Sequence, residues 1–167
     1  MNLGNTLKIY YIDDNYINYL RQFDSKVYYN KNHTRPYVGV VYIFNGYYYF
    51  APLSSPKPKH LKMNPNAVDI FKIKNGVYGI VNINNMIPTP KECLTEAIPN
   101  TTDIKYKNLL QNQSTFLNNH KSELLIKVNQ FQSRCLKKHL SKNILDRCCD
   151  YSLLEKKCQE YINNYIN

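Results

Sequence analysis

The spacing of apolar positions changes character near residue 100. Before it, short runs rich in Tyr, Ile and Val are separated by turn residues, a pattern typical of β-strands. After it, apolar residues recur every three or four positions from Tyr106 to Cys135, as on one face of a helix or of two helices meeting near His120. The sequence therefore predicts an α+β fold: a twisted, mostly antiparallel sheet packed with an N-terminal helix and C-terminal helices.

The strongest local prediction is a β-hairpin. Asn-Gly accepts the positive φ angles of a tight turn, so Asn45-Gly46 should join strands at 37–44 and 47–50. Both strands are apolar on both faces, which predicts a central, covered position in the sheet. Further predicted elements are strands at 8–12, 69–72 and 77–83, a segment leaving the sheet at 84–90, a helix capped by Asp14 that ends near residue 24, and a last helix from the capping box at 152–155 to about residue 165.

The excess of basic residues indicates a negatively charged binding partner. The chain has 167 residues, and we expect all of it, 1–167, to form one domain. It carries 22 Lys and Arg against 12 Asp and Glu, a net charge of +10 that suits a protein neutralising phosphates. A basic membrane-surface protein is the competing class. Because the sequence shows neither a signal-peptide pattern nor an apolar run near the ~20 residues of a spanning helix, we expect no membrane partner and a cytoplasmic location.

Residues 25–68 contain no Asp or Glu, although bases and tyrosines are frequent there. Positive charge interleaved with aromatic rings is what a groove for single-stranded nucleic acid needs, because the charge follows phosphates and the rings stack on unpaired bases. The alternative is that tyrosines at strand spacing pack in the core. The predicted RNA-binding residues in this stretch are Lys26, Tyr28, Tyr29, Lys31, His33, Lys59, His60 and Lys62.

A second basic run, containing Arg134, Lys137 and Lys138, is either a solvated helix face or a flank that contacts phosphates. Cys135, His139 and the Cys148-Cys149 pair could together form a zinc site. Because the Cys-x2-Cys spacing of structural zinc sites is absent, buried and reduced thiols are the simpler interpretation.

Candidate chemistry lies where two serines, Ser54 and Ser55, leave a strand and enter a proline-rich basic loop with Lys57. On composition alone, a solvated turn is the favoured explanation, because Ser, Pro and Lys are ordinary loop residues. Metal-dependent phosphodiester cleavage needs clustered carboxylates, which this region lacks, so we expect no metal and no cofactor. RNA can be cut without metal because its own 2′-OH attacks the phosphorus, and Ser, Lys, Arg and His suffice to move protons and stabilise charge.

Five groups of residues occur in an order and spacing that is specific when taken together. They are Tyr16-Ile17-Asn18-Tyr19-Leu20 with Asp24-Ser25-Lys26-Val27, Arg35-Pro36-Tyr37-Val38-Gly39, Pro52-Leu53-Ser54-Ser55-Pro56-Lys57, Asn84-Asn85-Met86-Ile87-Pro88 and Leu153-Leu154-Glu155-Lys156-Lys157. In these groups, over about residues 8–161, the chain resembles the ToxN/AbiQ family, the endoribonuclease toxins of type III toxin–antitoxin systems.

The resemblance implies a sheet related to the Kid/MazF toxins and a metal-independent, sequence-selective endoribonuclease that leaves 2′,3′-cyclic phosphate and 5′-OH ends. It also implies that the inhibitor is RNA, a repeated pseudoknot antitoxin. The toxin would cut this RNA from a precursor and stay bound to it in a closed toxin–RNA assembly. The substrates would be cellular or phage RNA, and the implied role is phage defence by abortive infection.

The resemblance further implies a catalytic set. Ser55 matches the family's key serine, Ser54 keeps a hydroxyl, and Lys57 matches the lysine that follows Ser-Pro. Arg35 falls where relatives can have Lys; because Arg does not deprotonate, we assign it to charge stabilisation. His60 is a candidate acid or base from its proximity in sequence, and the group that removes the 2′-OH proton stays open. The alternative function is a non-catalytic RNA-binding adaptor, which explains the charge and tyrosines but not the hydroxyl pair beside Lys57.

Overall fold

The computed structural model describes residues 6–32 and 34–166. Within these residues, seven strands form one antiparallel sheet in the order β4-β5-β3-β2-β1-β7, and β6 pairs with β3 beside β5. The strands are β1 (Lys8–Ile12), β2 (Pro36–Phe44), β3 (Tyr47–Ser54), β4 (Ile70–Lys72), β5 (Ile80–Asn82), β6 (Ile87–Pro88) and β7 (Leu94–Glu96). The predicted α+β class and antiparallel sheet are confirmed.

The predicted hairpin is confirmed. Asn45 and Gly46 take φ angles of 49° and 81°, the left-handed values that a two-residue hairpin turn requires. The paired strands β2 and β3 occupy the middle of the sheet, as their apolar character on both faces indicates. β3 is longer than predicted and ends at Ser54, which places the serine pair at the strand's carboxyl end.

The helices are α1 (Asp14–Arg21), α2 (Pro58–Lys62), α3 (Ala97–Asn100), α4 (Ile104–Asn119), α5 (Lys121–Leu136), α6 (Lys142–Leu145) and α7 (Tyr151–Tyr161). The predicted pair of helices meeting near His120 is confirmed, because α4 and α5 flank that residue. A π-helical turn, Ile162–Ile166, follows α7. In residues 6–32 and 34–166 we find no helix with the length and apolar character needed to span a membrane.

Both predicted helix caps are displaced to a neighbouring acid. Asp13, not Asp14, caps α1 by accepting from the Asn15 N–H at 2.8 Å, whereas the Asp14 carboxylate accepts from the Asn30 amide. Asp150 caps α7 by accepting from the Leu153 N–H at 3.0 Å, so the predicted capping serine lies inside the first turn. α1 also ends at Arg21, before the predicted end near residue 24.

Two strand predictions need correction, and one strand was missed. β5 begins at Ile80 rather than at residue 77, because a 3-10 turn (Ile73–Gly76) and the positive φ of Gly79 precede it. Segment 84–90 does not simply leave the sheet, since its Ile87–Pro88 pairs with β3 as β6. β7 carries no apolar alternation long enough to be recognised and was not predicted.

Helices cover both faces of the sheet. Alternate residues of a strand point to opposite faces, and β3 accordingly contributes Ala51 and Leu53 to one core and Phe50 to the other. The first core packs against α4 and α5 through residues such as Leu117 and Leu124. The second packs against α1 and α7 through Ile17, Leu20 and Leu154. The helices described above do not cover the carboxyl end of β3, and a groove forms there.

The cysteines are unpaired, and Cys93, Cys148, Cys149 and Cys158 are buried, in agreement with the interpretation as reduced, packed thiols. The Cys135 and Cys148 thiols contact each other, which joins α5 to the segment before α7. Across the part of the chain that the structure describes, no three His, Cys, Asp or Glu side chains come together as a possible metal site.

Candidate nucleic-acid groove

A groove of about 960 Å³ opens at the carboxyl end of β3. Its walls come from the loop after β3, from the loop between α1 and β2, and from the end of β5 with the turn that follows it. The predicted catalytic set lines this groove: Ser54, Ser55, Lys57 and Arg35. Part of the predicted RNA-binding set lines it as well: Lys26, Tyr28, Tyr29, Lys31 and Lys59.

The groove is strongly positive. Its lining bases are Arg21, Lys26, Lys31, Arg35, Lys57, Lys59 and Arg147. Asp69 is the one acid among the described residues that line it, and its carboxylate accepts a hydrogen bond from Arg147 at 2.7 Å. Because that negative charge is already paired, the remaining bases set the potential inside the groove. Such a surface attracts a polyanion and releases its counterions.

Ser54 is held by a hydrogen bond from the buried amide of Asn82. It is the last residue of β3 and pairs with Ile80 of β5. The Asn82 side-chain amide donates to the Ser54 hydroxyl oxygen at 3.0 Å and to the Pro52 carbonyl at 3.0 Å. The Tyr28 hydroxyl donates to the Asn82 carbonyl oxygen at 3.3 Å, which connects the strand end to the opposite loop.

Ser55 and Lys57 are exposed on a stiff connection between β3 and α2. Pro56 and Pro58 fix their own φ angles and restrict the residues before them, so few backbone conformations are open to this segment. Gly79 packs directly against it: a Cβ at Gly79, where φ is 94°, would lie 1.9 Å from the Ser54 carbonyl oxygen. Only glycine allows this close approach, which holds the backbone of the serine pair against the turn before β5.

Arg35 stacks on Tyr28 in the wall formed by the loop between α1 and β2. Its guanidinium carbon lies 4.8 Å from the Tyr28 ring centre, and its Nε donates to the Tyr29 carbonyl at 2.8 Å. Because that bond uses only Nε, the terminal amino groups of the guanidinium keep the fork geometry that binds phosphate. Burial raises the pKa of Tyr28 and the Arg35 charge opposes that shift, so Tyr28 stays a neutral hydrogen-bond donor.

The loop that carries these residues is anchored into the protein. The buried Asn30 amide donates to the Ile12 carbonyl at 2.7 Å, and its backbone carbonyl accepts from the Arg35 N–H at 3.2 Å. The Asn85 amide donates to the Lys26 carbonyl at 3.0 Å. These bonds hold both ends of the basic loop, so its charges are presented on a fixed backbone.

His60 lies on α2 but does not line the groove. Its exposure is 1%, and it is buried beneath the helix, where its carbonyl contacts Gly76 closely. Burial lowers the pKa of His60, and the nearby charges of Lys59, Lys57 and Lys72 lower it further. The ring is therefore neutral at pH 7, and it does not face the groove.

The other predicted RNA-binding residues lie away from this groove. Lys62 is exposed at the far end of α2, and Lys137 and Lys138 lie just beyond the end of α5. Arg134 lines a second cavity of about 420 Å³, between α5 and the chain near residues 65–68. His33 lies outside the described residues.

Some lining residues were missed by the sequence analysis, notably Arg21, Asn82, Tyr106 and Arg147. Tyr106 on α4 donates to the Thr34 carbonyl at 3.4 Å, and burial raises its pKa to about 12. For Asn82 the sequence contains one usable signal: a lone amide inside an apolar strand indicates a buried polar contact. For Arg147 the sequence contains no such signal, because the residue lies in a charged segment far along the chain.

The comparisons with known proteins agree with this geometry. The family model for toxin ToxN of type III toxin–antitoxin systems matches residues 8–159. Endoribonuclease ToxN of Bacillus thuringiensis subsp. kurstaki is 39% identical over 163 residues, which cover 92% of this chain and 84% of the relative.

Two solved structures share the fold. One, from work on selective toxin inhibition by a non-coding RNA pseudoknot, has a TM-score of 0.77 at 35% identity, covering 93% of this chain and 98% of that one. The other, AbiQ, a lactococcal anti-phage endoribonuclease, has a TM-score of 0.81 at 28% identity, covering 95% and 99%. On the match of the family model, the chain belongs to the ToxN family of type III toxin–antitoxin toxins.

Proposed function

We propose that the chain is a metal-independent, sequence-selective endoribonuclease toxin. The observation that carries the proposal is the meeting of Ser54, Ser55, Lys57 and Arg35 in one positively charged groove. Relatives of this chain are named endoribonucleases, and one solved relative is described as anti-phage. The groove offers cations and hydroxyls rather than clustered carboxylates, which suits cleavage by the RNA's own 2′-OH.

In the proposed reaction, the 2′ oxygen forms a bond to phosphorus while the bond from phosphorus to the 5′ oxygen breaks. A base accepts the 2′ proton and the 5′ oxygen takes up a proton, so the step leaves a 2′,3′-cyclic phosphate and a 5′-OH. Lys57 and Arg35 stabilise the charge that develops on the phosphorane oxygens, and Ser55 and Ser54 bind the phosphate. We assign no proton transfer to His60, because it is buried.

We further propose that the same groove holds an inhibitory RNA, a repeated pseudoknot that the toxin cuts from a precursor and retains in a closed toxin–RNA assembly. A solved relative is described as selectively inhibited by a non-coding RNA pseudoknot, and a bound RNA would use the same charges as the substrate. The free toxin would then act in the cytoplasm on cellular or phage RNA and cause abortive infection.

The test is incubation of purified protein, freed of RNA, with total RNA in EDTA, followed by mapping of the product ends. We expect 2′,3′-cyclic phosphate ends with the unsubstituted chain. Ser55→Ala should abolish cleavage and keep RNA affinity, and Ser133→Ala, on the exposed surface of α5, is the matched control and should cut normally. Full activity of a folded Ser55→Ala protein would refute the site. Binding without cutting by the unsubstituted chain would favour the adaptor.

A further inference from the structure

Asn82 is a buried amide whose contacts all lie around Ser54. It ends β5, pairs there with Ile70 of β4, and is 4% exposed although it lines the groove. Its amide nitrogen donates to the Pro52 carbonyl and to the Ser54 hydroxyl oxygen, each at 3.0 Å. Its carbonyl oxygen accepts from Tyr28 at 3.3 Å. The reaction proposed above gives this residue no role.

The orientation of this amide follows from its partners. A backbone carbonyl can only accept hydrogen bonds, so the side-chain nitrogen of Asn82 must face Pro52. The second hydrogen of that nitrogen then meets the Ser54 oxygen, and the Asn82 carbonyl oxygen is left toward Tyr28. Tyr28 must therefore be the donor in its bond. If Tyr28 became an acceptor or Ser54 became a donor toward Asn82, the Asn82 amide would lose that hydrogen bond.

This arrangement determines whether the Ser54 hydroxyl donates or accepts a hydrogen bond on the groove side. Because its oxygen accepts from Asn82, its own hydrogen is not used in that bond and can be donated into the groove. We propose that Asn82 is a positioning residue that makes Ser54 a hydrogen-bond donor to a phosphate oxygen, rather than a base for the 2′-OH. The inference rests on the proposed endoribonuclease function and assigns Ser54 its part in it.

The expected contribution is that of one donor to a developing oxyanion. Loss of a single such donor typically lowers kcat by about 10²–10³-fold. Donation from Asn82 also polarises the Ser54 hydroxyl, which strengthens the bond it makes in turn. A purely structural Asn82, which only ties Pro52 to β5, would instead change stability and leave the effect of Ser54 on kcat untouched.

The test uses Asn82→Asp, which keeps the size of the side chain but cannot donate while its carboxyl is ionised. With a short RNA substrate, we expect kcat to fall about 10²-fold near pH 8 with a small change in KM. Circular dichroism shows whether the fold persists.

The decisive measurement is a double-mutant cycle with Ser54→Ala. If Asn82 acts through Ser54, Asn82→Asp adds little to the loss already caused by Ser54→Ala. The matched control is Asn84→Asp, which puts the same charge in the same wall without a contact to Ser54, so its effect should add to that of Ser54→Ala. If Asn82→Asp does not fold, Tyr28→Phe tests the same coupling, with a loss of about 3–10-fold in kcat.

Additive losses for Asn82→Asp and Ser54→Ala would overturn the inference and leave the proposed function standing. A loss confined to KM, with kcat unchanged, would also overturn it. Absence of cleavage by the unsubstituted chain would instead refute the proposed function, and this inference with it. A loss in kcat, non-additivity with Ser54 and additivity for the Asn84 control together would establish the role.

Discussion

Replacement of Gly79 by Ala tests how the serine pair is held. The glycine has a φ of 94°, and a Cβ there would lie 1.9 Å from the Ser54 carbonyl oxygen and 3.2 Å from the Ser55 carbonyl carbon. The first distance is far inside van der Waals contact. The methyl group can be accommodated only if the end of β3 moves away from the turn before β5. The substitution should therefore reduce stability and displace the hydroxyls of the proposed catalytic serines.

The chain offers a matched control for the size of this effect. Gly46 also has a positive φ, 81°, but a Cβ there would meet nothing within 4 Å. Gly46→Ala should therefore cost only the left-handed backbone penalty, about 1 kcal/mol. Gly79→Ala should cost that penalty plus the forced movement of packed backbone, about 1–3 kcal/mol more. The expected loss of unfolding free energy is thus about 2–4 kcal/mol.

The assay is thermal unfolding of both variants together with RNA cleavage well below their midpoints. At this chain length, about 1 kcal/mol shifts Tm by roughly 2–4 °C, so the variants should be clearly separated. Gly46→Ala should cut RNA normally, whereas Gly79→Ala should lose at least about tenfold in kcat because a displacement near 1 Å disrupts catalytic geometry. Equal Tm values for the two variants, or normal cleavage by Gly79→Ala, would refute the reasoning.

Two further predictions concern charge. Arg147→Ala leaves the nearly buried Asp69 carboxylate without its guanidinium, so it should lower the unfolding free energy by about 1–3 kcal/mol. It should also weaken RNA binding, because an unpaired negative charge then faces the groove, and an unchanged RNA affinity would contradict the prediction. Because the pKa of His60 is lowered in the fold, the unfolded chain binds its proton more readily, so stability should decline as the pH falls below the ordinary value of 6.5. Urea unfolding from pH 7 to pH 5 should show a smaller decline for His60→Gln, and a parallel decline would exclude His60 as the cause.

The sequence predicted most of the central fold because its signals there are local. Asn45-Gly46 determines a turn by its own backbone preferences, and the helical spacing around His120 is carried by many residues at once. The errors occur where two neighbouring residues can fill the same structural role. Asp13 and Asp14 can both cap α1, and only the buried amide of Asn30 decides that Asp14 is used elsewhere. No property of the two acids alone distinguishes them.

The sequence could predict those residues of the candidate site that lie in the basic stretch, residues 25–68. The basic stretch and the ordered motifs pointed to Ser54, Ser55, Lys57 and Arg35, which do share a groove. Arg147 could not be found in this way, because its position depends on the packing of a segment more than a hundred residues after α1. His60 shows the converse: it lies close to the serines in sequence, yet α2 turns its ring inward, away from the groove.

A β-bulge explains how Arg35 comes to lie beside the serines. Near the turn, Phe44 pairs with Tyr47, and that register continued along the hairpin would bring Tyr37 level with Ser54. Two extra residues on β2, between Gly39 and Tyr42, shift the register so that Tyr37 pairs with Pro52. Extended to the mouth of the groove, the shifted register places Arg35 level with Ser54. The bulge therefore leaves Tyr37 in the core and Arg35 in the wall of the groove. A prediction from the turn and the hydrophobic pattern alone would have placed Tyr37, not Arg35, beside Ser54.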